Sequence, residues 1–118
     1  MKTSELYAEM LTTLGAANTQ ETEQTFLMSL KKVVGDLNQK LKTEIVAPTQ
    51  VDGSDIGFED YCDNTFHPGV KFYMQRDGAW SQDPDQESYA FYQRQLRSVI
   101  GSAIASDDSY LIRNQASE

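Results

Sequence analysis

Residues 25–41, TFLMSLKKVVGDLNQKL, decide what kind of protein this is. Phe26, Leu27, Leu30, Val33, Val34, Leu37 and Leu41 recur at spacings of three and four, while Lys31, Lys32, Asp36 and Lys40 fall mostly on the opposite side. That period belongs to an amphipathic α-helix packed along one stripe. Upstream, Asn18 with Glu21 three residues later reads as a capping box, and the helix is expected to run to about Lys42 or Glu44. Before it, Thr3 or Ser4 can cap a shorter helix carrying Tyr7, Met10, Leu11 and Leu14, which Gly15 ends.

Past the long helix the pattern changes. Pro48, Gly53 and Gly57 exclude a helix over residues 45–58, and Asp52-Gly53 marks a turn between short extended pieces, a loop with one small hairpin. A third helix is predicted over 59–77. Pro68 removes a backbone donor inside it, yet Tyr61, Thr65, Phe66, Val70 and Tyr73 keep helical spacing across the proline, so a kinked helix is preferred to one starting at Pro68. Gly78 ends it, and Trp80, the only tryptophan, is expected to fold back near Tyr73 and Met74 as a lid on the core, the alternative being a ligand-stacking residue. Asp83-Pro84, with Gln86, starts a fourth helix whose stripe is Tyr89, Tyr92, Leu96, Val99, Ile100, Ala103 and Ile104. The expectation is an all-α bundle of about four principal helices over residues 1–105, with an extended tail over 106–118.

Composition narrows the function classes. The chain has 118 residues, 39% hydrophobic and 24% charged, with a net charge of −8. One domain fits that length. The acidic balance disfavours specific binding to duplex DNA and docking on anionic membranes, because both need lysines and arginines to meet phosphates. A lone cysteine, Cys62, excludes an internal disulfide framework, and no apolar run approaches the roughly 20 residues of a membrane span. The start MKTSELYAEM lacks the apolar core of a signal peptide, so synthesis without export is expected.

No catalytic, metal or cofactor motif emerges. Cys62 and His67 are five apart, which misaligns them on a helix, and one of each makes no zinc set. Asp83, Asp85 and Glu87 alternate like a calcium loop, but Ser88 stands where its glycine is needed and Arg94 where its glutamate is needed. A loop from Asp52 fails likewise at Ile56. Catalytic residues, metals and cofactors are therefore all expected to be absent. The run Asp52, Asp55, Glu59, Asp60 and Asp63 carries no interspersed basic residue and reads either as a solvated face or as a charged wall.

The order of elements from residue 20 to 105 resembles the head–tail adaptor, or connector, proteins of tailed bacteriophages. The likeness rests on TFLMSLKKVVGDLNQKL, then APTQV and a turn, then DIGFEDYCDNTFHPGVKFYMQRDGAW, and finally ESYAFYQRQLRSVIGSAI. Within it, Gly69 sits mid-helix, followed by Val70, Phe72 and Tyr73, as in that family. Pro68 and the extra first helix depart from the pattern. The resemblance implies a structural virion protein of the head–tail neck, assembled in the host cytoplasm. Its copies would form a closed ring, commonly a 12-mer, under the portal protein. That ring would extend the DNA channel and present a platform to a downstream neck or tail protein, with DNA passing through unbound. It would give Asp52, Asp55, Glu59, Asp60 and Asp63 to the channel lining, and Lys31, Lys32, Lys40 and Lys42 to subunit contacts. The tail residues Tyr110, Leu111, Ile112 and Arg113 would go to the portal, by strand addition or by filling an apolar groove. Rival readings are another neck or tail-completion protein, a class usually richer in strands, and a small helical regulatory module.

Overall fold

The computed structural model describes residues 1–77 and 86–106. They form an all-α bundle of four helices: α1 Thr3–Leu14, α2 Gln20–Leu41, α3 Asp63–Asp77 and α4 Gln86–Ser106, with a 3₁₀ turn at Asp60–Cys62 leading into α3. Trp80, Gly78 and the Asp83-Pro84 start of the last helix lie outside the described residues, as do Tyr110, Leu111, Ile112 and Arg113.

The long helix follows its periodicity. Phe26, Leu30, Val33, Val34 and Leu37 are buried along one stripe, flanked by half-buried Leu27 and Leu41. They meet Phe66, Val70 and Met74 of α3 and Tyr92, Leu96 and Val99 of α4, all within one core cluster. α1 adds Leu6, Tyr7 and Met10, and the rings of Tyr7 and Phe26 lie 5.0 Å apart. α3 includes Pro68, as its spacing predicted, but begins at Asp63 rather than near Glu59, the intervening residues forming the 3₁₀ turn.

The helix ends differ from expectation in instructive ways. Lys2, not Thr3 or Ser4, occupies the N-cap of α1 and makes no side-chain cap. Thr3 is buried, and its hydroxyl donates to the Ser54 carbonyl at 3.3 Å. The first N–H groups of a helix lack partners within it. Here those of Thr3 and Ser4 donate to the carbonyls of Ser54 and Asp52. The cap of α2 is Thr19, whose Oγ1 accepts from the Thr22 N–H at 3.2 Å. Asn18 is withdrawn from capping because its side-chain oxygen accepts from the Tyr7 hydroxyl at 2.8 Å. Gly15 ends α1 at φ 62°, as a residue beyond a helix end should. Lys42 ends α2 in the same left-handed region at φ 57°, one residue past Leu41. Asn38 stabilises that unusual turn by accepting from Thr43 Oγ1 and the Ile45 N–H and donating to the Ile45 carbonyl.

The 45–58 segment forms no hairpin of its own. Asp52 does make the expected turn, accepting from the Ser54 N–H at 2.8 Å. The extended piece beyond it pairs instead with the start of the chain, through an antiparallel bridge between Lys2 and Asp55 and a bond from the Ile56 N–H to the Met1 carbonyl. Ile56 is thereby carried into the core, 3% exposed.

The stripe read on α4 is too wide. Tyr92, Leu96 and Val99 are buried, but Tyr89, Ile100 and Ile104 are 49%, 36% and 37% exposed. They lie on one flank at the edge of the stripe, where the Tyr89 ring still packs 5.0 Å from that of Phe72.

Candidate functional site

The polar centre of the bundle is Asp36. At helical spacing it sits on the edge of the α2 stripe, where α3 and α4 approach. One carboxylate oxygen, Oδ2, accepts from the Tyr73 hydroxyl at 2.6 Å and from the Tyr92 hydroxyl at 2.7 Å. Burial, and then the negative charge of Asp36, push both phenols well above their ordinary pKa. A cleft of about 280 Å³ opens beside this node, between Gln39 and Lys40 on one side and Tyr89 and Gln93 on the other. The Arg76 guanidinium lies 4.8 Å over the Tyr73 ring at its mouth. On sequence, Asp36 read as one of the solvent-facing residues of α2. Its partners lie 37 and 56 residues away.

Gly69 is what allows the three helices to come this close. A Cβ there would lie 2.5 Å from the Tyr92 ring and 2.8 Å from Val33 Cγ2. Next to the node, Asp77 joins Arg76 and Lys32 in an ion-pair cluster, and Lys32 also lies 5.6 Å over the Tyr73 ring. Hydrogen bonds from Arg76 and then Lys32 hold the Asp77 carboxyl down at about 2.

The acidic run divides into three groups. Asp55 and Asp63 both reach the Met1 ammonium, at 2.9 and 3.4 Å. Asp52 is engaged in its own turn, with Ser54 and Gln50 donating to it. Glu59 and Asp60 are exposed and form no ion pair among the described residues. The basic set divides too: Lys31, Lys40 and Lys42 are exposed, whereas Lys32 is engaged inside the subunit.

Cys62 and His67 serve separate parts of the fold. Cys62 is fully buried, and burial pushes its thiol up to about 11, which leaves it a poor nucleophile. His67 Nε2 lies 3.1 Å from Thr13 Oγ1, tying α3 to α1. Among the described residues no group of three or more His, Cys, Asp or Glu is placed to hold a metal ion, and no helix is long and apolar enough to cross a membrane.

A second concavity, of about 370 Å³, is mostly apolar. It lies between α2 and residues 46–49, lined by Leu27, Met28, Lys31, Val46, Ala47, Pro48 and Thr49. Met28 is 65% exposed and Val46 83%, unusual for apolar residues beside a groove. No family model, curated protein or solved structure matches the chain.

Proposed function

We propose that this chain is a head–tail adaptor of a tailed bacteriophage, a structural virion protein of the neck. Its copies close into a ring beneath the portal protein, prolong the DNA channel and carry the downstream neck or tail protein. One observation carries the reading. Of the residues that carry the family likeness in the third helix, Gly69, Phe72 and Tyr73 all pack against Tyr92 of α4, and Val70 is buried in the same core. From α2 onward the order of elements is consistent with it: a long helix, a non-helical connection, a helix with a central glycine and a long final helix.

Within this reading the acidic residues have unequal parts. Glu59 and Asp60, exposed and without counter-ions among the described residues, carry the repulsion that keeps DNA sliding along the channel wall. Asp52 supports them. Asp55 and Asp63 contribute less net charge, since the Met1 ammonium neutralises part of theirs. Lys31, Lys40 and Lys42 are the cations available to a neighbouring subunit or the portal, and Tyr110, Leu111, Ile112 and Arg113 form the portal-binding tail.

The test is co-sedimentation and electron microscopy of the protein with portal rings encoded by the same genome. The full chain is expected to bind as a closed ring on one face of the portal. Removal of residues 106–118 should abolish docking with little change in melting temperature, because the buried α4 residues described, Tyr92, Leu96 and Val99, all precede the cut. A full-length protein that ignores portal rings would overturn the reading.

A further inference from the structure

We propose that the cleft beside Asp36 is a receptor for a carboxylate group, held by the free edge of the Arg76 guanidinium, the Lys40 ammonium and the side-chain amides of Gln39 and Gln93. α2, α3 and α4 of one subunit supply its lining, so the site is complete without a second copy.

Arg76 is fixed before any ligand arrives. Its Nε and Nη2 donate to the two carboxylate oxygens of Asp77 at 2.9 and 3.2 Å. Its guanidinium also lies 4.8 Å over the Tyr73 ring and 5.7 Å over that of Phe72. Nη1 and the second hydrogen of Nη2 find no acceptor among the described residues. Together they form the fork that a carboxylate accepts with both oxygens. A guanidinium already held in place loses little further freedom when a ligand binds.

Donors without acceptors make up much of the remaining lining. The Lys40 ammonium, the Gln39 and Gln93 amides and the Tyr89 hydroxyl make no hydrogen bond or ion pair among the described residues. Asp36, the one carboxylate of the lining, already accepts the Tyr73 and Tyr92 hydroxyls on Oδ2. A cationic ligand is poorly served here, because Arg76 and Lys32 already lie over the Tyr73 ring.

Charge selects among anions. Around the cleft Lys32, Lys40 and Arg76 stand against Asp36 and Asp77, which leaves a single positive charge over in a chain whose net charge is −8. That surplus matches a carboxylate, which carries one negative charge. A phosphate group carries nearly two at neutral pH, and its excess would face Asp36 and Asp77 uncompensated. Phe72 and Leu96 add a small apolar strip to the lining, where the short hydrocarbon stem of such a group can lie.

Nitrogen–proton NMR of the full chain tests this, with propionate titrated against sodium chloride at equal ionic strength. The Gln39 and Gln93 side-chain amides and the Arg76 Nε–H should shift saturably with propionate and not with chloride. Inorganic phosphate should bind more weakly. Lys40→Gln, at an exposed position, should weaken propionate by about two- to fivefold. Arg76→Lys should bind no better than Arg76→Gln, because an ammonium lacks the planar fork. Both Arg76 variants also disturb the Asp77 pair, so Gln93→Glu supplies a test by gain: a carboxylate built into the cleft should exclude propionate and raise the melting temperature. A capped tripeptide with glutamate at its centre separates the two sources of such a group. Tighter binding than propionate assigns the site to an acidic side chain of another chain, and exclusion of the peptide while propionate binds assigns it to a free small acid. No saturable shift, phosphate bound as tightly as propionate, or a Gln93→Glu variant that melts below the parent would each overturn the proposal.

Discussion

Gly69 and Tyr92 are in such close contact that a single methyl group does not fit between them. A Cβ at position 69 would sit 2.5 Å from Cε1 of the Tyr92 ring and 2.9 Å from Cζ. Gly69→Ala gains about 1 kcal/mol of helix propensity but overpacks a three-helix junction, at a cost of about 1–3 kcal/mol. The expected net result is a lower urea midpoint at unchanged helix content. A midpoint equal to or above the parent's would mean that α4 does not rest on this residue.

Asp36 unites the same helices through its bonds to Tyr73 and Tyr92. Asp36→Ala leaves the buried Tyr92 and the half-buried Tyr73 hydroxyls without their acceptor, and should destabilise by about 1.5–3 kcal/mol, the scale of hydrogen bonds to a charged group. Chemical denaturation of the variant measures this, and a loss below about 0.5 kcal/mol would show that the phenols find other acceptors.

The two phenols also predict an alkaline limit. Their folded pKa values are raised above the ordinary 10.0, so the stability they contribute is full below pH 10 and is lost as pH rises beyond it. In a spectrophotometric titration of the six tyrosines, Tyr73 and Tyr92 should ionise only as the helical signal collapses. Complete ionisation with the helices intact would contradict the hydrogen-bonded node.

Asp77 sets an acid counterpart. Its carboxyl is held at about 2, below its usual 3.8, by Arg76 and Lys32. The stability it contributes is present above the unfolded value and lost as pH falls through about 2. Asp77→Asn should therefore melt below the parent at neutral pH, and the gap should close between pH 4 and 2. The site is partly open to solvent, so the gap should also shrink in high salt. A gap independent of pH would assign the effect to packing instead.

Cys62 reports on integrity. Its thiol is fully buried and pushed up to about 11. A thiol reagent should react only at the rate of unfolding in native buffer, and fully in denaturant. Rapid native reaction would place the start of α3 outside the core.

How much of this was legible beforehand depended on how local the information is. The α2 stripe from Phe26 to Leu37 and the passage of α3 through Pro68 could be read because periodicity lies within the element itself. Asp36 could not, since a carboxylate at the edge of a stripe looks solvated until two tyrosines from other helices arrive. Asn18 and Thr19 are both good caps one residue apart, and the choice between them was made by Tyr7, which occupies Asn18. The hairpin read at 45–58 failed for a similar reason: its extended piece pairs with Lys2, a partner no local pattern names. Ile100 and Ile104 share the period of the buried residues, and only the positions of the neighbouring helices show that they remain open. The groove needed both α2 and the segment after it, so no single stretch of sequence could display it.

The clasp joining residues 1–4 to 52–56 ties two ends of a long loop that encloses both α1 and α2. Bonds formed across such separation require most of the chain to be in place before they yield anything, so they should close late in folding. They should also open as one unit. In native-state hydrogen exchange the amides of Thr3, Ser4 and Ile56 should share one opening free energy despite lying some fifty residues apart.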